Sequence, residues 1–148
     1  MTLFVAAVCA LVRRDGRILS MRRALTKDAA PGIWEALSGR IEPGESPLEA
    51  VHREIIEESG LEVLVHPRPL AAHTSRRAGV PMVIVYYLAD WQRGEVLLSE
   101  EHDAFEWLTA DEFAERTPIP QLAEAVREVL GTLPSDSSGS DGNPGGRD

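Results

Sequence analysis

The sequence predicts an α/β fold, a mixed β-sheet with helices on both faces, and three observations lead to it. Two near-continuous apolar runs, LFVAAVCALV at 3–12 and VPMVIVYYLA at 80–89, have no polar side to show to water. They read as strands, and the second, rich in Val, Ile and Tyr, as a central one. Helical spacing recurs at 47–59, 110–116 and 121–130. Shorter strand-like runs, bounded by Gly, Pro and Asp, fill the intervals.

Taken in order, residues 3–13 form the first strand. Asp15-Gly16 is a strong hairpin signal, and 17–23 returns as the second strand. Residues 24–32 are a loop ending at Pro31-Gly32. A short strand at 33–37 leads into a structured loop containing Gly39, Pro43 and Gly44. The next helix is bounded at both ends. Ser46-Pro47-Leu48-Glu49 offers a capping box, with Ser46 at N-cap, Pro47 at N1 and Glu49 at N3. Gly60 supplies the left-handed residue that stops it. Strand patterns resume at 61–65 and, after Pro67-Arg68-Pro69, at 70–75. Arg76-Arg77-Ala78-Gly79 turns the chain into the run at 80–89, and 90–94 turns it again. Residues 95–99 show no pattern, and 104–108 is a last short strand. Thr109 caps a helix over 110–116. Pro118-Ile119-Pro120 separates it from the final helix over 121–130, whose Leu122, Val126, Val129 and Leu130 share a face for packing on the sheet.

At 148 residues the chain is expected to form one domain with a real core, placed at residues 1–130. Residues 131–148 are dominated by Gly, Ser, Pro and Asp, with Leu133 the lone apolar side chain. Such a segment cannot bury enough surface to offset its ordering entropy and reads as a flexible tail. The formal charge of −9 argues against binding a nucleic acid polymer, which needs a basic surface. It is compatible with a small anionic substrate where a metal ion supplies local positive charge. Cys9 is the only cysteine, so no intramolecular disulfide can form and a cytoplasmic location is expected. The run at 3–12 lacks the preceding positive charge and the polar cleavage region of a signal peptide. No apolar run reaches the roughly 18 residues of a membrane span.

Glu54, Glu57 and Glu58 stand at i, i+3 and i+4 of the first helix, which puts three carboxylates on one strip. Like charges at that spacing destabilise an isolated helix by roughly 0.2–0.5 kcal/mol per pair. No Lys or Arg falls on the strip to offset them. Leu48, Val51 and Ile55 form the apolar stripe, and the carboxylates are expected about 100° away from it. The helix would then be pinned by one side and present acid on another. Such a cluster is either a solvated face or a grip on a hard divalent cation, which favours oxygen ligands.

The wider context carries a resemblance. Gly39, Glu45 and then Arg53-Glu54-Ile55-Ile56-Glu57-Glu58-Ser59-Gly60-Leu61 resemble the complete signature of the Nudix hydrolases, with Ile55 and Leu61 at its aliphatic positions. Weaker resemblance covers residues 22–107. It implies an α/β/α sandwich that hydrolyses a nucleoside diphosphate linked to another moiety, using Mg2+ or Mn2+. It gives Glu54, Glu57 and Glu58 to the metal, with Glu57 also a candidate catalytic residue. A carbonyl of Ser38 or Gly39 is a further candidate ligand. Arg53 is a further candidate catalytic residue, which by the same resemblance holds a glutamate in place through a charge-assisted bond. Glu45 is structural first and metal-linked second. Glu100-Glu101-His102 resembles the later Glu-His element of some members, making Glu101 a candidate late metal ligand or general base. His102 is a second candidate base, or a surface histidine. Arg23 and Arg40 sit where the family often has a basic residue near the substrate phosphates, with Arg22, Lys27, Arg76 and Arg77 as alternatives. Trp34 is expected in core packing. Homodimers are common in the family.

Departures from the family pattern narrow the substrate. Leu37-Ser38-Gly39 replaces the frequent Pro-Gly-Gly turn. No tyrosine lies between residues 61 and 79, where cleavers of dinucleoside polyphosphates often carry one. Pro67 and Pro69 lie too close to the signature for the ADP-ribose mark, and the coenzyme A and NADH marks are not evident. A nucleoside triphosphate or similar small nucleotide remains. Two other uses of the fold are a nucleotide sensor that does not cut and an isoprenoid diphosphate isomerase. The full glutamate set speaks against the first. The second uses a site cysteine in the relatives concerned, whereas Cys9 lies in the first apolar strand.

Overall fold

The computed structural model describes residues 1–27 and 30–131. Apart from Gly131, the segment read as a tail lies outside them. The sheet is organised around β1 (Val5–Arg14), which pairs in parallel with β7 (Val80–Arg93) from Val5↔Met82 to Arg13↔Asp90. Its other edge is shared. β2 (Arg17–Arg23) takes the Arg13 end and β4 (Leu37–Arg40) takes Ala7 to Ala10, both antiparallel. β7 is shared in the same way by β6 (Ala71–Arg77) and β5 (Glu62–Val65). β2 carries β3 (Trp34–Glu35) and β8 (His102–Leu108). One parallel pair among antiparallel ones makes the sheet mixed, as the sequence predicts.

Residues 7–12 of β1 are all buried, because both faces of the strand are covered. Alternate side chains go to opposite faces. Val8, Ala10 and Val12 join Leu19, Met21 and Leu37 beneath α1 (Pro47–Ser59). Cys9 and Leu11 join Ile18, Tyr86 and Leu108 beneath α2 (Ala110–Arg116) and α3 (Pro120–Leu130). Phe113, Leu122, Ala125 and Val126 are the side chains those two helices bury there. The result is an α/β/α sandwich.

The local signals act where they were read. Asp15 and Gly16 both take positive φ, 48° and 74°, as a tight hairpin requires. Ser46 Oγ accepts from Glu49 N at 3.1 Å and Glu49 Oε1 accepts from Ser46 N at 2.8 Å. Gly60 ends α1 at φ 69°. Thr109 and Glu112 repeat the same reciprocal cap on α2.

The structure corrects several readings. Gly39, expected in a loop, lies in β4 because Leu37–Arg40 pairs with β1, and Arg76 and Arg77, expected in a turn, complete β6 by pairing with Pro81 and Val80. Residues 90–93 continue β7 instead of turning, because Leu64 and Val63 of β5 pair with Asp90 and Trp91. The carboxylates of α1 are also not set apart from the apolar stripe. Glu54 and Glu58 are buried with Val51 and Ile55, and only Glu57 among the three faces solvent. At about 100° per residue, position 58 lies only about 20° from position 51, two turns away. The acids therefore fan from the core-facing Glu58 to the exposed Glu57. Burial of Val51 and Ile55 contributes about 1.5–3 kcal/mol each. That anchoring holds the helix down although two carboxyl groups go under with it.

Candidate active site

Three elements meet at the site: α1, the β3–β4 edge, and the chain entering β8. Gly39 brings β4 and α1 together. A Cβ on residue 39 would stand 2.1 Å from the Glu54 carboxyl group, so glycine leaves the room in which that carboxyl group lies. The backbone gap is filled by Glu54 itself.

Arg53 ties the acids to the preceding loop. Its Nε and Nη2 donate to the two oxygens of Glu45 at 2.6 and 2.9 Å, and Nη2 also donates to the Arg40 carbonyl at 2.9 Å. Its Nη1 donates to Glu54 Oε1 at 2.7 Å and Glu57 Oε2 at 3.2 Å. The strip expected to lack a cation thus has one from the neighbouring helix position. Through its hydrogen bond, Arg53 holds the Glu45 carboxyl down at about 2.

Glu58 is different. It is 5% exposed, and its Oε2 is buried without a hydrogen-bond partner. Burial first, then the charge of Glu54 and a hydrogen bond to it, then Glu35 and Glu101, push its pKa up to about 9. Burial also raises Glu54, against the pull of Arg53. Two carboxyl groups are thus crowded with less positive charge than they need.

Among the described residues no three acidic, His or Cys side chains stand ready as a cation cage. The donor set nevertheless fits a divalent ion: hard carboxylate oxygens, one of them buried and unpartnered, with Glu57 on the open side. Glu54, Glu57 and Glu58 are the residues that would hold it.

Glu101 stands beside this cluster. Lys27 Nζ donates to its Oε1 at 2.9 Å, and that hydrogen bond draws its pKa below the usual carboxylate range. Its carbonyl also accepts from Ala24 N at 2.9 Å, which fixes the segment against the 24–27 loop. His102, one of whose readings was a surface histidine, is 4% exposed. Its Nε2 lies 2.9 Å from Glu35 Oε2, and its Nδ1 is buried without a partner. Glu35 went unnoticed in the sequence. It lies in a two-residue strand, and the only signal was an acid between Trp34 and Ala36 in a segment otherwise read as core.

A cleft of about 690 Å³ opens on the α3 face of the sheet. Cys9, Ile84 and Tyr86 are in its floor, and Ile119 and Leu122 stand across from them. It runs to Ser38, Gly39 and Glu35, so cleft and acid cluster share the β3–β4 edge. His73 and Tyr86 form a ring pair inside it, with centroids 5.1 Å apart. Burial pushes the Cys9 thiol well up, so it is a neutral wall group. Arg23 and Arg40 both line the cleft. Arg23 is nearly enclosed, 3.7 Å from both Glu35 and Glu101, whereas Arg40 is exposed. Of the alternatives, Lys27, Arg76 and Arg77 also line it, and Arg22 is bonded to Asp103 at 2.6 Å. Trp34 is half-buried outside the cleft, with the Arg116 guanidinium 5.1 Å from its ring centroid. No described helix is long and apolar enough to cross a membrane.

The acid-bearing helix and the cation-lined cleft meet at the β3–β4 edge of an α/β/α sandwich. The family model for the NUDIX domain matches residues 2–130. The chain belongs to the Nudix hydrolases, which act on nucleoside diphosphate derivatives. It is 31% identical over 136 residues to the CTP pyrophosphohydrolase of Escherichia coli K12, covering 89% of this chain and 98% of that one. It is 37% identical over 122 residues to a Myxococcus xanthus protein named octanoyltransferase, but that match spans 78% of this chain and only 32% of the relative. The MutT protein of Methanosarcina mazei Go1 shares the fold at a TM-score of 0.76 and 22% identity, over 87% of this chain and 94% of that one.

Proposed function

We propose that the protein is a divalent-cation-dependent pyrophosphohydrolase that cuts a phosphoanhydride bond of a nucleoside triphosphate or similar small nucleotide. The observation that carries this reading is the buried, unpartnered Oε2 of Glu58, pressed against Glu54 at the edge of the cleft. A buried polar atom without a partner costs about 1–3 kcal/mol, more when charged. A bound divalent ion would satisfy it.

Mg2+ or Mn2+, when bound, would neutralise phosphate charge and make a water more acidic. Glu54, Glu57 and Glu58 hold the ion in this reading, and Glu57, exposed, faces incoming substrate. Arg53 is a positioning residue that keeps Glu54 and Glu57 in register with the Glu45 loop. Glu101, held ionised by Lys27, is a further ligand or the acceptor of the water's proton. Arg23 and Arg40 meet the phosphates. The relative named for CTP supports a triphosphate, and the single buried cysteine supports a cytoplasmic setting.

The test is a panel of nucleoside triphosphates, nucleotide sugars, ADP-ribose and dinucleoside polyphosphates incubated with magnesium, with products identified. The expected result is a nucleoside monophosphate and pyrophosphate from a triphosphate, with no turnover in chelator. Glu57→Gln should abolish turnover with the fold intact. A Glu57→Gln protein that works at the parental rate would remove Glu57 from the mechanism.

A further inference from the structure

We propose that Arg77, at the end of β6, is a phosphate-binding residue that makes the cleft favour nucleotides with more phosphates. The inference rests on the functional reading above and names a selectivity element within the same site.

β6 alternates without a break: His73, Ser75 and Arg77 are half-buried, and Ala72, Thr74 and Arg76 are exposed. The half-buried set lies on the cleft side, beside Met82, Ile84 and Tyr86 of β7. Arg77 is therefore an inward arginine at a register position shared with a histidine and a serine.

The Arg77 guanidinium has been brought into an unfavourable place. Among the described residues its side chain has no hydrogen-bond or ion-pair partner. Burial and then the neighbouring Arg23 disfavour its charge, with Arg40 adding to them, while Glu35 and Glu101 oppose. Arg76, by contrast, spends a hydrogen bond on the Gly79 carbonyl at 3.0 Å. An unpartnered guanidinium has five donors in a planar fork suited to phosphate oxygens. Converging cations repel one another until an anion of matching charge lies between them.

The position also sets which part of the substrate Arg77 meets. Cys9, Tyr86 and Leu122 give the cleft an apolar wall, fit for a ring system. Arg23, Arg40 and Arg77 line the same cleft close enough for their charges to act on one another, and Arg77 pairs with Val80, six residues along β7 from Tyr86. A nucleotide lying along the cleft puts its phosphates among these arginines. One cation more there favours a triphosphate over a monophosphate, because only the longer chain reaches all three.

The experiment is equilibrium binding in EDTA, so that no turnover intervenes. ATP, GTP, CTP and UTP, with their di- and monophosphates, are titrated calorimetrically into the full-length wild type, Arg77→Ala, Arg77→Lys and Arg93→Ala. For the best-bound base, Arg77→Ala should weaken the triphosphate about tenfold or more, as loss of a charge-assisted contact does. The monophosphate should change by less than about threefold, Arg77→Lys should recover part of the loss, and Arg93→Ala, at an exposed arginine away from the cleft and paired with Glu62, should match wild type. Equal weakening of mono- and triphosphate, or none, overturns the proposal and leaves the hydrolase reading standing. If wild type binds no nucleotide in EDTA, the proposal falls, and the hydrolase reading stands or falls on turnover in magnesium.

Discussion

Arg53 clasps Glu45 with two parallel hydrogen bonds, Nε to Oε2 at 2.6 Å and Nη2 to Oε1 at 2.9 Å. The same guanidinium reaches Glu54 and Glu57 with its remaining nitrogen. One planar group therefore sets the distance between the loop ahead of α1 and the acids on it. Lysine would keep the charge but lose the fork. Arg53→Lys should lower the magnesium-saturated rate by about 10- to 100-fold, the usual cost of losing a partner that orients metal ligands. Stability should fall by about 1–3 kcal/mol, from hydrogen bonds to charged groups. Initial rates against magnesium concentration and a urea titration check both, and an unchanged rate would show that Arg53 does not position the site.

Gly39 offers a more local perturbation. A methyl group there would lie 2.1 Å from Glu54 atoms, but those atoms are the end of a flexible side chain. Gly39→Ala should therefore fold, with Glu54 displaced. The expected signature is a native far-ultraviolet spectrum with a magnesium requirement raised about tenfold or more. A variant that kept the wild-type magnesium dependence would mean that Glu54 is not a ligand.

How far the sequence could be read depends on how local the cause is. The caps at Ser46 and Thr109, the Asp15-Gly16 turn and the stop at Gly60 each depend on a few adjacent residues, and each formed as read. Residues 90–93 were misread because Asp-Trp-Gln-Arg looks like a turn until β5 lies alongside it. The identities of the acids were legible, but their burial was not. An apolar stripe drawn through Leu48, Val51 and Ile55 hid Glu58, which is two turns from Val51. Glu35 became visible only when the sheet assembled, and Arg77, one of several alternative phosphate contacts in the sequence, was set apart from the others only then. Arg77 did leave a trace, the alternation through His73 and Ser75, although its residue was read as part of a turn.

Away from the site, Asp90 joins the two ends of the domain. Its carboxylate accepts from Arg13 Nε at 2.8 Å and Nη2 at 3.2 Å, and lies 2.7 Å from His66 Nε2. Arg13 in turn donates to the Val129 carbonyl of α3 at 2.9 Å. The Arg13 hydrogen bond chiefly draws the Asp90 pKa below its ordinary value. A carboxyl lowered in the folded state binds fewer protons there than in the unfolded chain. Its contribution is thus present above the unfolded value of about 3.9 and is lost as pH falls through the folded value. Asp90→Asn should be less stable at pH 7 by about 1–3 kcal/mol and should show a flatter loss of stability below about pH 4. Urea titrations from pH 7 to 2 test this, and parallel curves for both proteins would contradict it. Turnover at pH 7 should be unchanged.

Glu58→Gln separates the two demands on the acid cluster. Without metal, the wild-type side chain is buried with one oxygen unpartnered and its carboxyl pushed toward the neutral form. An amide of nearly the same shape meets that environment without a charge to bury. The metal-free variant should therefore be as stable as wild type or more so. With magnesium the order should reverse. A ligand that binds only the folded state stabilises it by about 2.7 kcal/mol at a hundred times its dissociation constant. Wild type should show a rise in melting temperature with magnesium, and Glu58→Gln should lose most of it, because a neutral amide is a poorer ligand for a hard cation. Scanning calorimetry in EDTA and across a magnesium series measures both halves. A variant that gains as much from magnesium as wild type would take Glu58 out of the metal site and leave its burial to be explained by packing alone.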